Sequence, residues 1–186
     1  MSTKVRIDVG WLLLPAGQKN KEEIEKSIGK EIKGYTADEL LDITENFRKE
    51  WSRIEEFVLS NICDILELKF KQELVDCFVV PHFVPQSSPL IVSPQGNENL
   101  DECSVLTHEL VHVLLTDNMS YSQWEREDLS NMDLSEYWEK HFPEISEGLF
   151  ELPVYAVLWE LWVVRQGNKE LWEAEKKDLE FYEALG

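Results

Sequence analysis

Basic residues are scarce in this chain: 18 Lys and Arg face 37 Asp and Glu, a formal charge of −19 over 186 residues. A surface this acidic is repelled by nucleic-acid phosphates and by anionic lipid, so neither is an expected partner. Cysteine is also sparse. Cys63, Cys77 and Cys103 form an odd set without metal-site or redox spacing, which fits buried free thiols and makes a reducing cytoplasm the simplest home. Long hydrophobic runs are missing. The longest, Leu152 to Val164, contains Pro153 and Glu160 and is too short to span a bilayer. Near the start, Val5, Ile7, Val9, Trp11 and Leu13 alternate with Lys4, Arg6, Asp8 and Gly10. That is the period of a half-buried strand, and Asp8 interrupts any secretory apolar core. There is no internal repeat, no low-complexity segment and no Gly-rich phosphate loop.

What remains is enough for one packed unit. With 43% apolar residues and seven Trp, residues 1–186 are expected to form a single domain. A strand from Val5 to Leu13 leads into a Gly, Lys and Glu-rich stretch, Ala16 to Tyr35, that reads as a connector. Thr36-Ala37-Asp38-Glu39 forms a capping box, and Leu40, Ile43, Phe47, Trp51, Ile54, Val58, Ile62 and Ile65 recur at helical spacing, predicting a long amphipathic helix over 37–66. Leu74 to Val84 and Leu90 to Val92, rich in Val, Phe and Ile and bounded by prolines, predict a small sheet over 74–92 whose Pro-flanked strands lie at edges. Met119 to Lys140 is mixed polar and aromatic and is expected to roof a cleft. Asn168 caps a last helix, 168–185, with an apolar stripe through Leu171, Trp172, Leu179, Tyr182 and Leu185.

The chemistry is concentrated in Thr107-His108-Glu109-Leu110-Val111-His112, the pattern H-E-x-x-H within a helix predicted over about 100–116, for which Asn99-Leu100-Asp101-Glu102 supplies start signals. One helical turn separates His108 from His112, so both imidazoles reach one metal ion. Glu109 points elsewhere and flanks the pair, placed to take a proton from a water bound there. A helix this apolar does not bury two imidazoles and a carboxylate without compensation, and a cation supplies it. The pattern therefore predicts a hydrolytic zinc site.

Such a site takes a third protein ligand and leaves the fourth position to water. His82 and His141 are the histidines outside the motif. In Pro143-Glu144-Ile145-Ser146-Glu147-Gly148-Leu149-Phe150-Glu151 three carboxylates recur at i, i+3 and i+7, along one face of a helix predicted over about 144–165. The surrounding residues are so apolar that these acids are costly without a cation.

At this point the residues resemble the gluzincins, metallopeptidases with H-E-x-x-H on one helix and a Glu ligand on a following helix. Glu147-Gly148-Leu149 is similar to their second motif. The resemblance makes Glu147 the third zinc ligand and Glu151, one turn on, the carboxylate that orients His108. The distance is greater than in the shortest members, with 34 residues between His112 and Glu147. The donor that would stabilise the oxyanion is open among Tyr155, Tyr137, Tyr121, His82 and His141, with Tyr155 favoured by its place on the Glu147 helix. The resemblance covers about Leu90 to Val157. It implies an α+β, zincin-like fold with a small mixed or antiparallel sheet, an active-site helix and a following Glu-ligand helix. It also implies one catalytic Zn2+, and an edge strand, Leu90-Ile91-Val92, on which an extended peptide or protein substrate pairs. Two other classes compete: an interaction protein that keeps the fold without catalysis, which has no use for Glu109, and a hydrolase of a non-peptide amide.

Overall fold

The computed structural model describes residues 3–94, 101–118 and 151–174. Strand β1 (Lys4–Val9) is followed by a 3-10 turn (Trp11–Leu13), helix α1 (Leu14–Ile28) and the long helix α2 (Ala37–Leu66). Then come β2 (Leu74–Val79), β3 (Gln86–Ser87), β4 (Leu90–Val92) and α3 (Glu102–Asn118). Helix α4 (Glu151–Trp159) continues as a π-helical turn, Glu160–Arg165, and a last helical segment occupies 169–174. The architecture is thus a mixed α and β one, and no helix among the described residues is long and apolar enough to cross a membrane.

The four strands form one sheet in the order β1-β2-β4-β3. β1 runs parallel to β2 and β2 parallel to β4, and only β3 is antiparallel, to β4. Alternation along β1 and β2 sends Ile7, Val75, Cys77 and Val79 into the core and leaves Arg6, Asp8 and Asp76 on the other face, as the period of two requires. There Arg6 pairs with Asp76 at 2.7 Å.

Four expectations change here, the first being that the strand expected over Leu74 to Val84 lies at an edge: it ends at Val79 and runs between β1 and β4. Leu90-Ile91-Val92 is not an edge: β4 lies between β2 and β3, its side chains fully buried, because the chain turns back through Ser88-Pro89 and lays Gln86-Ser87 alongside. The edges of the described sheet are β1 and the two-residue β3. β1 is covered by α2: the Val5 N–H donates to Glu55 Oε1 at 2.8 Å and Arg48 Nε donates to the Ile7 carbonyl at 2.6 Å, which satisfies groups an incoming strand would seek. The stretch Ala16–Tyr35 is not a plain connector either, since most of it belongs to α1. That helix escapes a periodicity test because it buries little beyond Gly17 and Lys21. It is built instead on Pro15 in its first turn, the i,i+4 pairs Lys19–Glu23 and Lys21–Glu25, and Gly29 in the left-handed region at its C-terminus. Gly17 is required by packing, as a Cβ there would stand 2.5 Å from the Pro81 carbonyl oxygen. β1 also stops sooner than alternation predicts, at Val9, and Leu12 is left exposed.

α2 follows its sequence. Glu39 N–H donates to Thr36 Oγ1 at 3.2 Å and Thr36 N–H donates to Glu39 Oε2 at 2.8 Å, the two halves of the capping box. The helix ends on Glu67, whose φ of 54° turns the chain out. Phe47, Trp51, Val58, Leu59 and Ile62 from α2 meet the sheet face, α3 and α4 in one core.

Candidate metal centre

α3 begins on Asp101, whose Oδ1 accepts the Ser104 N–H at 2.8 Å, the N-cap interaction. The pattern of a cap with Glu102 three residues on points to Asn99, which lies outside the described residues; the helix starts at Glu102 with Asp101 before it. The other end is tied to the α2–β2 connection, where Asn118 Nδ2 donates to the carbonyls of Leu114 (2.8 Å) and Lys69 (3.0 Å). Between its ends α3 touches α2, α4, β3 and β4, and Cys103 to Thr107, Glu109 to Val111, Val113 and Leu114 are buried. The buried Thr107 hydroxyl donates to the Cys103 carbonyl at 2.8 Å, so the helix backbone satisfies it.

Within this buried helix His108 and His112 alone of the motif keep intermediate exposure. Their Nε2 atoms are 3.2 Å apart, with ring centroids at 5.1 Å and planes inclined by 49°. Without a cation that distance is a hydrogen bond in which one Nε2 carries a proton and the other accepts it. It is also the separation of two imidazole nitrogens sharing one zinc, since bonds of about 2.1 Å at a near-tetrahedral angle place them about 3.2–3.4 Å apart. The donor set therefore fits a zinc ion replacing the shared proton.

Glu109 is buried, with 8% of its surface exposed. It lies within electrostatic range of Cys77 on β2: burial pushes the Cys77 thiol well above its ordinary value and the Glu109 carboxylate pushes it further. On the helix the carboxylate leaves the line shared by the two imidazoles, since one residue advances about 100° around the axis. Sequence reasoning had no signal for this influence of Glu109 on Cys77, because β2 and α3 are far apart in the chain. Cys103, near the helix start, is likewise pushed up to about 12, by burial first and then by Asp101 and Glu102. Both thiols are therefore protonated and inert at neutral pH.

From α4, Tyr155 reaches the site. Its ring stands edge-on to His108, centroids 5.5 Å apart at 78°, and Trp172 from segment 169–174 stands edge-on to Tyr155 at 6.4 Å and 72°. The spacing favoured Tyr155, and the structure brings it beside His108. Trp172 went unassigned, visible only as part of the apolar stripe of the last helix. His82, another oxyanion candidate, is buried with φ 59° and packs near Tyr35, its ring centroid 6.0 Å away, while its carbonyl accepts from Asn20 Nδ2 of α1. Glu147, Glu144, His141, Tyr121 and Tyr137 lie outside the described residues, as does the side chain of Glu151. Among the described residues no group of three or more His, Cys, Asp or Glu is placed to hold a metal; two imidazoles converge, and Glu147 as a third donor rests on the sequence. No family model, no curated protein and no solved structure matches the chain.

Proposed function

We propose that this protein is a zinc-dependent metallopeptidase of gluzincin type, with a zincin-like arrangement of its helices. One observation carries the reading: the 3.2 Å convergence of the His108 and His112 Nε2 atoms on the open side of an otherwise buried helix, with a buried carboxylate, Glu109, in the next position. His108, His112 and Glu147 hold the zinc, and Glu151 orients His108. When bound, zinc supplies a water acidic enough to ionise near neutral pH and a Lewis acid for the scissile carbonyl. The chain supplies the rest. Glu109 takes the proton of the attacking water and delivers it to the leaving amine, a role suited to a carboxylate held out of bulk solvent. The Tyr155 hydroxyl, beside the His108 ring, is the candidate donor to the oxyanion. The substrate is a peptide or protein segment, and with β4 internal its binding surface is not the strand Leu90–Val92.

Elemental analysis of protein purified without added metal tests the reading. About one zinc per chain is expected, lost in the His108→Ala, His112→Ala double variant, together with cleavage of a peptide library that disappears in Glu109→Gln. A wild-type protein that binds zinc no more tightly than the double variant overturns it.

A further inference from the structure

A histidine that serves as a ligand must hold its ring plane, because rotation about χ2 swings Nε2 away from the metal. His108 meets Tyr155 edge-on at 5.5 Å, and Tyr155 meets Trp172 edge-on at 6.4 Å. Both separations fall in the range in which aromatic pairs attract in this geometry. The three rings come from three separate segments: α3, α4 and 169–174. Tyr155 is buried and Trp172 packs against the same core, so neither ring turns without disturbing its neighbours.

We propose that Tyr155 and Trp172 form an aromatic clamp that fixes the ring of His108, with Tyr155 acting through its ring as a positioning residue, apart from any use of its hydroxyl. The proposal rests on the reading of His108 and His112 as zinc ligands. A ligand locked before the metal arrives loses less conformational freedom on binding. The clamp also gives 169–174 a role in the site: Trp172 is the outer jaw, so the last helical segment contributes to metal affinity without touching the metal.

The experiment compares full-length wild type, Tyr155→Phe, Tyr155→Leu and Trp172→Leu by two readouts. One is the imidazole C–H resonances of the metal-free protein; the other is zinc affinity by competition with a chelator. Tyr155→Phe keeps the ring and is expected to leave the His108 resonance in place and zinc affinity within about twofold. Tyr155→Leu should move that resonance through the lost ring current and weaken zinc by about tenfold, in the range for groups that orient a ligand. Trp172→Leu should do the same to a smaller degree. The rest of the spectrum reports whether each variant is folded, and rescue by Phe separates a positioning ring from a general loss of packing. If Tyr155→Leu leaves the His108 resonance and the affinity unchanged, or if Tyr155→Phe matches Tyr155→Leu, the clamp is overturned. If the wild type binds no zinc, the metal reading fails, while the His108 resonance still decides whether the ring is clamped.

Discussion

Two helices of this molecule lie against each other and solve burial in opposite ways. α2, 30 residues long, buries one stripe, Leu40, Phe47, Trp51, Val58, Leu59 and Ile62 among it, and gives its other faces to Glu, Lys and Arg. α3, 17 residues long, is enclosed by α2, α4 and the strands and buries ten residues on nearly every side. In α2 charge is unremarkable because it is solvated: Arg53 and Glu50 pair at 2.5 Å with both side chains exposed, a contact of little consequence for stability. In α3 the same kinds of groups stand in a core, where an unpaired charge costs far more. The lesson is that Glu109, His108 and His112 carry information because of the helix they sit on, and a Glu on the outside of α2 carries none.

The comparison is broken most severely at Glu109. Glu109→Gln is expected to retain its zinc and lose turnover by about 10³-fold, as removal of a general base does, whereas Glu50→Gln on α2 leaves both unchanged; zinc content and kcat measured together decide it. Glu147→Ala belongs to the same test, with zinc affinity itself falling. Retention of full affinity there, with loss in Glu144→Ala or His141→Ala, would move the proposed third ligand away from Glu147.

Stability sharpens the contrast next. Leu110→Ala, at a position with no exposure, should cost about 2–5 kcal/mol, the range for a buried Leu truncated to Ala. Leu41→Ala, on the half-exposed side of α2, should cost no more than about 0.5 kcal/mol. Urea unfolding of the two variants makes the measurement, and equal losses would mean that α2 is as enclosed as α3.

The smallest effect lies at the start of α2. Thr36→Ala removes half of the capping box and is expected to cost about 1 kcal/mol. Hydrogen bonds from the Thr36 N–H and hydroxyl hold the Glu39 carboxyl below its ordinary value of 4.5. A carboxylate with a depressed value in the folded state stabilises above its unfolded value, and that stabilisation is lost as pH falls through the folded one. Wild type should therefore lose part of its stability below about pH 4.5, and Thr36→Ala should lose less over the same interval. Parallel unfolding profiles for the two proteins would remove Glu39 from the account.

α2 was legible to the residue, from Thr36 to Leu66, because its stripe and its cap are both local signals. The motif helix was legible from its length and apolar content, expected over about 100–116 and found at Glu102–Asn118, but its cap is Asp101 where the Glu three residues on points to Asn99. α1 was not legible: a helix that buries little beyond Gly17 and Lys21 has no stripe to read, and its polar composition looks like a linker. Leu90-Ile91-Val92 was correctly read as a strand and wrongly placed at an edge, because flanking prolines report on the ends of a strand and not on what lies beside it.

The chain alone determined which residues can do chemistry. His108 and His112 share a face, and Glu109 leaves it, wherever the helix is put, because 3.6 residues per turn is a local constraint. Tertiary structure decided what surrounds that helix: Cys77 of β2 within electrostatic range of Glu109, and Tyr155, backed by Trp172, beside His108. Neither neighbour is near α3 in sequence, and no periodicity encodes them. Pairings between segments this distant are fixed only when the sheet order and the packing of α2, α3 and α4 close the core together, because burial rewards contact without regard to sequence separation.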